Sequence, residues 1–362
     1  MNEIRKVAIG ALVAGGLLAV AGLAPPTAGA VIDGERVAIA DAPWAVSTGR
    51  VIRRRWEHFC TATVIGPRRL ATARHCVEHD DTWSLLIMSG SDDPRGAPGR
   101  RTTVAHVWTP TLANLFATNR GLRSDLAVIE TVDELGAPVL PLAPAGTTAA
   151  PAEPVFAYGF GNTTDGEAAV GPPLLRRAAK LMHTRAECAE SDFGLEPTAL
   201  CARRAPGPAG GLLGSGDSGG GLVRQGAAGP ELLGVNSAVT GGMLGDQLGG
   251  FASVPALHDF LTHPERGHEL PLPVGRAVIR GRARVGERVR CSARWSQPIR
   301  SLDVHWIVTG RAARPLRTTT GPQPWKVPPS ARGSRLTCEA TGHVTLDYAS
   351  RTAPSRAVTV TR

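Results

Sequence analysis

The sequence predicts an all-β chain in two parts, a larger acidic body and a smaller basic module. Three observations carry that prediction. Residues 31–263 break into short runs of strand-like composition separated by clusters of Gly, Pro and Asp. From about residue 275 the alternation starts afresh, in AVIRGRARV, ERVRCSARW, DVHWIVTG, SRLTCEATG and RAVTVTR. Charge changes sign between the two: residues 31–271 hold 21 Lys and Arg against 26 Asp and Glu, whereas 272–362 hold 17 against 4. A content of 42% hydrophobic residues over 362 is ample for two packed cores.

The chain opens on a segment that belongs to neither part. Arg5 and Lys6 precede an apolar run from Val7 to Leu23, and small Ala28 and Ala30 follow. That is the pattern of a secretory signal peptide over residues 1–30, with cleavage after Ala30. No cysteine lies near the cut to carry a lipid, and no later run reaches the ~20 apolar residues of a membrane span. The expected location is therefore extracellular, where disulfides persist.

In the body, the runs WAVSTGRV, CTATVIG, RLATA, WSLLIMSG, TTVAHVW and LAVIETV read as strands, and their spacing suggests a barrel or sandwich. A Pro- and Ala-rich connector spans Gly136 to Pro154, after which VFAYGFG, LRRAAKLMHT, GGLVRQG, ELLGVNSAV and GGFASV resume the pattern. Val254, Leu257 and Leu261 recur at helical spacing and predict a short amphipathic helix packed on the body. The body is assigned to residues 31–265, a linker to 266–274 and the module to 275–362.

Six cysteines, Cys60, Cys76, Cys188, Cys201, Cys291 and Cys338, fall in three well-separated successive pairs. Six allow 15 connectivities, and spacing does not choose among them. None forms a C-x-x-C, so zinc-ribbon readings lack ligands, and neither metal nor cofactor is expected.

The stretch SGDSGGG, Ser215 to Gly221, suits neither helix nor strand, because glycine weakens both. Glycines do permit a tight loop whose N–H groups converge beside a hydroxyl, the geometry of a nucleophile next to an oxyanion hole. Such a serine needs a base and an orienting acid. RLATARHC supplies His75 directly before Cys76, at the end of an apolar strand. SDLAVIE supplies Asp125 at the head of another, where it is placed to fix the imidazole tautomer.

In that order, C-T-A-T, L-A-T-A-R-H-C, S-D-L-A-V-I, G-F-G and G-D-S-G-G resemble the trypsin/chymotrypsin family of serine proteases over residues 31 to about 263. The resemblance implies two antiparallel β-barrels with the site in the cleft between them, joined at Gly136–Pro154. It implies Ser218 as nucleophile, His75 as general base and then acid, and Asp125 as the orienting carboxylate. Backbone N–H groups of Gly216 and Ser218 would form the oxyanion hole, and Ser237 would support the buried aspartate. Cys60–Cys76 and Cys188–Cys201 match two of the family's disulfides. Val31 matches the mature start, whose ammonium would pair with Asp217. Leu212 falls at the floor of the specificity pocket with Leu213 beside it, and Ser237 and Val239 join them as substrate-binding residues. A leucine floor implies cleavage after apolar residues, since an unpaired cation there would be desolvated at a cost.

Three positions depart from the family pattern. Gly221 replaces a proline, Arg74 a small residue beside the histidine, and Gly214 a cysteine that would brace the pocket, so a looser wall is expected there. An esterase would share the G-x-S-x-G letters, but its chain order runs Ser, acid, His, the reverse of His75, Asp125, Ser218. The alternative is a catalytically degenerate secreted binding or adhesion protein that uses the same fold and the basic module. In the module, Cys291, Trp306 and Cys338 stand in the order that resembles bacterial Ig-like β-sandwich modules, although Leu336 occupies the tyrosine-corner place. The expected partners are protein or peptide substrates for the body. For residues 275–362 an anionic polymer or cell-envelope surface is expected, and no specific nucleic acid. Alternation in IRGRARV would put Arg280, Arg282 and Arg284 on one strand face.

Overall fold

A computed structural model describes residues 31–78, 84–110, 125–162, 173–189, 198–240, 247–310, 316–320, 324–343 and 349–362. The signal-peptide segment, 1–30, lies outside the described residues. The body comprises β1 (Glu35–Arg36), β2 (Ala45–Ile52), β3 (Arg55–Gly66), β4 (Arg69–Thr72), β5 (Leu86–Ser89), β6 (Arg100–Thr109) and β7 (Ala127–Thr131), then β8 (Pro154–Gly159), β9 (Arg176–Met182) and β10 (Ala199–Arg204). It continues with β11 (Gly221–Gly226), β12 (Gly229–Thr240), β13 (Leu248–Ser253) and β14 (His268–Glu269). Short helices α1 (Arg185–Ala189) and α2 (His258–Thr262) interrupt the strands.

Two closed antiparallel barrels result. The first runs β6-β5-β2-β3-β4-β7 and closes where β7 pairs back on β6; the second runs β9-β10-β13-β12-β11-β8 and closes where β8 pairs on β9. Closure leaves no bare sheet edge within either ring. Each barrel also carries a strand from the far end of the chain. β1 pairs with β9 of the second barrel, and β14 with β6 of the first. The ends therefore tie the two halves together.

Inward rows obey the strand period. In β9, Ala178, Lys180 and Met182 face in while their neighbours are partly exposed. Val46, Ala62, Val64, Leu70, Ile87, Val107 and Ile129 fill the first barrel, and Val155, Ala157, Met182, Leu222, Leu233 and Phe251 the second. A third cluster, including Leu126, Val128, Leu140, Phe160, Leu232 and Val235, fills the seam between them. The connector crosses this seam: Leu140 N–H donates to the Val64 carbonyl (2.9 Å) and Ala143 N–H to the Leu232 carbonyl (2.9 Å). The predicted amphipathic helix is α2 with its lead-in turn, and Val254, Leu257 and Leu261 all bury against the seam.

The module contains β15 (Val278–Arg280), β16 (Arg288–Ser292), β17 (Ser301–Thr309), β18 (Leu316–Thr320), β19 (Trp325–Lys326), β20 (Arg335–His343), β21 (Ala349–Arg351) and β22 (Val358–Thr359). The strands form sheets β15-β16-β19 and β18-β17-β20-β21, with β22 on β20, and the Cys291–Cys338 disulfide joins β16 of one to β20 of the other. Trp306 is fully buried in this core and stacks on Trp325 at 5.1 Å. The expected arginine face is interrupted. β15 stops at Arg280 because Gly281 takes φ +99, a left-handed turn that ends the alternation before Arg282 and Arg284.

Residues 266–274, expected as linker, are drawn into the fold. β14 pairs on β6 of the first barrel, Leu270 N–H donates to the Val107 carbonyl (2.8 Å), Leu270 is 1% exposed, and Leu272 packs on the same core. Val274 N–H then donates to the Arg294 carbonyl and Ser296 N–H to the Leu272 carbonyl, both at 2.8 Å. The Pro/Gly composition suggested a tether, but its leucines find apolar partners. Leu270→Ala should destabilise the body by about 2–5 kcal/mol, measured as a lowered Tm or denaturation midpoint. The same change at Val274, 46% exposed, should stay within about 0.5 kcal/mol of wild type.

Candidate active site

The site is built where the second barrel's Ser215–Gly221 turn meets the first barrel. Thr61, in the CTAT run of β3, is the junction. Its N–H donates to the Ser218 carbonyl (2.8 Å), its hydroxyl donates to the Gly216 carbonyl (3.0 Å), and that hydroxyl accepts from Phe160 N–H (3.1 Å). Two glycines are required by the fit. Gly219 has φ +81, and a β-carbon there would lie 2.2 Å from both the Thr61 carbonyl and the Thr72 hydroxyl. Gly216 has φ +95, and its β-carbon would meet Gly161 at 2.9 Å and the His58 ring at 3.0 Å. Ser218, between them, is half-buried.

His75 rides on the 3-10 turn Arg74–Cys76 that follows β4, and the Cys60–Cys76 disulfide ties this turn to β3. Gly219's missing β-carbon would stand 3.0 Å from the amide nitrogen of Ala73, the residue that caps this turn. The serine turn and the histidine turn are thus pressed together. Asp125 binds His75 twice: Oδ1 accepts the backbone N–H (2.9 Å) and Oδ2 accepts Nδ1–H (2.7 Å). Ser237, on β12, donates its hydroxyl to Oδ2 at 2.6 Å. With Nδ1 donating, Nε2 keeps its lone pair and is free to take a proton.

The two charges shift in the sense that geometry demands. Burial alone would lower the His75 pKa, but the hydrogen bond and charge of Asp125, helped by Glu78, outweigh it and hold the pKa above 6.5. Burial would raise Asp125, but hydrogen bonds from His75 and Ser237 and the imidazole charge hold it below 3.8. Arg74 does not disturb the pair, because its buried guanidinium is engaged by Glu78 one turn on. Both sulfurs beside His75 are spent in the disulfide, which disqualifies the Cys60–His75–Cys76 grouping as a metal site.

Val31 and Asp217, singled out in the sequence, approach one segment from two sides. Val31 is fully buried, its γ-carbon filling the space a β-carbon on Gly211 would take, and Ile32 accepts Leu212 N–H at 2.8 Å. Asp217 is also fully buried. Its carboxylate accepts N–H groups of Gly161 (2.9 Å) and Gly214 (2.8 Å). Burial pushes its pKa up to about 7 against those bonds and against the charge of Lys180.

Leu212 and Leu213 are 2% and 1% exposed, and Leu213 joins Phe251 in the second-barrel core. The wall at Gly214, expected to be loose without a cysteine, is pinned otherwise. The buried Gln247 amide accepts Leu213 N–H (2.7 Å) and donates to the Leu213 carbonyl (2.8 Å). Val239 is 42% exposed near the end of β12. The remaining expected disulfide, Cys188–Cys201, is formed.

Three contributors escaped the sequence reading. His58 Nε2 donates to the Gly216 carbonyl (2.9 Å), while its Nδ1 accepts from Ser47, which in turn accepts Trp56 Nε1–H. Burial lowers its pKa to about 4, so the ring stays neutral in this chain of bonds. Its signal was its place two residues before Cys60, the same argument that selected His75. Lys180 is fully buried in β9 and donates to the Gly211 carbonyl (3.0 Å), its pKa pulled down by burial to about 8. Gln247 had no signal in the sequence.

The Trypsin family model matches residues 31–261. Among named relatives, trypsin alpha-4 of Lucilia cuprina is 29% identical over 252 residues, covering 67% of this chain and 89% of its own. Trypsin beta of Drosophila erecta is 27% identical over 253 residues, covering 67% and 91%. A scabies mite inactivated protease paralogue superposes with TM-score 0.52 at 22% identity, covering 64% of this chain and 98% of its own; at that identity the likeness is one of fold. Proton NMR should find His75 titrating above 6.5, and Asp125→Asn should move that midpoint down by removing the anionic partner. An unmoved midpoint would break the pairing.

Proposed function

The chain belongs to the trypsin family of serine-type endopeptidases, and from that premise we propose that residues His75, Asp125 and Ser218 hydrolyse peptide bonds through an acyl-enzyme. The carrying observation is the Ser237–Asp125–His75 chain of hydrogen bonds, held against the turn that bears Ser218. Ser218 Oγ attacks the scissile carbonyl as His75 Nε2 removes its proton. The tetrahedral oxyanion is stabilised by the N–H groups of Gly216 and Ser218, one such donor being worth roughly 10²–10³ in rate. Asp125 stays ionised and stabilises the imidazolium. His75 next gives its proton to the leaving amine, and water repeats the sequence on the acyl-enzyme.

Four finer features complete the reading. Leu212 makes the pocket floor uncharged, favouring apolar residues before the cut. Substrate lies along Ser237–Val239. Export frees the Val31 ammonium, which enters beside Asp217 and neutralises a carboxylate that is costly to bury alone. The module is an Ig-like sandwich, supported by its inter-sheet disulfide and by Trp306 packed in the core behind it. Its basic surface, 17 Lys and Arg against 4 Asp and Glu, retains the secreted enzyme on an anionic envelope polymer through screened, salt-sensitive contacts.

One preparation tests all of this. The exported protein should begin at Val31 and cleave a peptide library after apolar residues. Ser218→Ala should lower kcat/KM by at least about 10³. Truncation at Gly275 should abolish low-salt retention on anionic resin while sparing small-peptide turnover. Substantial activity in Ser218→Ala would overturn the mechanism. A profile dominated by Arg and Lys would overturn the pocket, a different amino terminus the activation step, and equal retention of the truncated form the tether.

A further inference from the structure

The module's first sheet sets like charges opposite one another. In β15-β16-β19 the register pairs Arg280 with Arg290 and Arg288 with Lys326. Directly opposite residues share a face with β-carbons about 5 Å apart, and like charges placed so repel. Their strand neighbours Ile279, Val289, Cys291 and Trp325 turn inward and pack in the module core. The four cations are left on the outer face, all exposed, and among the described residues none has an acidic partner. The module's acids are placed elsewhere. Asp303 meets His343 at 3.0 Å and Glu339 meets Arg351 at 4.0 Å, both on the second sheet. Glu287, in the turn before β16, pairs with none of the four. A single acid within the grid would relieve the repulsion, and the face carries none, so the anion must come from outside.

The shape of the grid says what kind of anion fits. From Arg280 on β15 the row steps to Arg290 and Arg288 on β16 and ends at Lys326 on β19, a diagonal line across the sheet. It consists of two cross-strand pairs whose centres, at about 3.4 Å per residue and 4.8 Å between strands, lie roughly 8 Å apart. Each pair can close on one anionic group with two free oxygens, which guanidinium forks are built to hold. A line of such sites suits a linear polymer rather than a plane of lipid headgroups. A single nucleic acid strand also carries serial phosphates, but it is held by aromatic platforms under its bases. Among the described residues this face has none, since Trp325 turns inward and stacks on Trp306 at 5.1 Å. A stiff chain of uronate rings turns successive carboxylates to opposite sides, whereas a flexible polyol joined by phosphodiesters can present every phosphate to one face.

We infer that the pair of Arg280 with Arg290 and the pair of Arg288 with Lys326 are adjacent phosphate subsites for a base-free polyol-phosphate polymer lying across the outer face of β15-β16-β19. This rests on the reading of the module as the part that retains the enzyme, and it names the site and the ligand class.

The test uses the full exported chain and a fluorescent poly(glycerol phosphate), with binding followed by anisotropy over a range of salt. Arg288→Gln with Arg290→Gln should weaken binding at least about tenfold and make the slope of log K against log salt shallower by about 1.4. Small-peptide turnover should not change, and Tm should stay level or rise as the repulsion is relieved. Arg335→Gln with Arg356→Gln removes the same charge from exposed positions off this face and should bind like wild type. Equal weakening by the two double variants would show net charge acting alone, overturning the subsites while the tether stands. Equally tight binding of oligothymidylate, polygalacturonate or phosphatidylglycerol vesicles would overturn the ligand class. A lower Tm with binding intact would mark the four cations as structural and overturn the site. Wild type that binds neither this polymer nor anionic resin at low salt would overturn the tether reading as well.

Discussion

Everything at the site depends on how Thr61 holds the serine turn. One residue of the first barrel satisfies the carbonyls of Gly216 and Ser218, in the second barrel, while its own carbonyl accepts from Thr72 at 2.8 Å. The N–H groups that share a peptide with those carbonyls are engaged within the fold, Asp217 N–H by the Gly214 carbonyl (3.1 Å) and Gly219 N–H by the Asn236 carbonyl (2.7 Å). His58 reinforces the same carbonyl of Gly216, since the bulge in β3 brings it to the same face as Thr61. These bonds fix the backbone of the serine turn, and on the proposed reading they hold the Gly216 and Ser218 N–H groups in place as oxyanion donors, as electrostatic preorganisation requires. It also explains the glycines, for a side chain at 216 or 219 would hold the barrels apart.

The site sorts its ionisable groups by environment. Asp125 accepts three hydrogen bonds and sits beside an imidazole, so it stays charged despite burial. Asp217, only a short distance along the serine turn, accepts two and has no ion-pair partner among the described residues, so burial prevails. Likewise His75 and His58 diverge. His75 faces a carboxylate and a cleft, while His58 faces a carbonyl and a hydroxyl inside the barrel. One histidine is left able to exchange protons and the other is fixed as a neutral strut.

Much of this was legible in the chain. The strand runs could be read from local spacing, and the family resemblance carried the Cys60–Cys76 and Cys188–Cys201 pairs and the partnership of His75 with Asp125. Contacts that close over long separations could not. Gln247 reaches Leu213 across 34 positions, and nothing about a glutamine next to Gly-rich sequence announces a clamp. β10, ALCARR, escaped because its polar end masks a strand paired on both edges. Lys180 falls on an inward row, where a lysine violates the pattern used to find such rows. The arginine face of the module failed on a single glycine, since alternation presumes unbroken extended backbone and Gly281 turns left-handed.

The central claim is that Ser218 is activated by the His75–Asp125 pair. The most direct measurement is the mass of the active-site peptide after exposure to a fluorophosphonate. A single adduct on Ser218, whose formation is slowed by orders of magnitude in His75→Ala, is the predicted result. An unlabelled Ser218, or labelling as fast without His75, would contradict it.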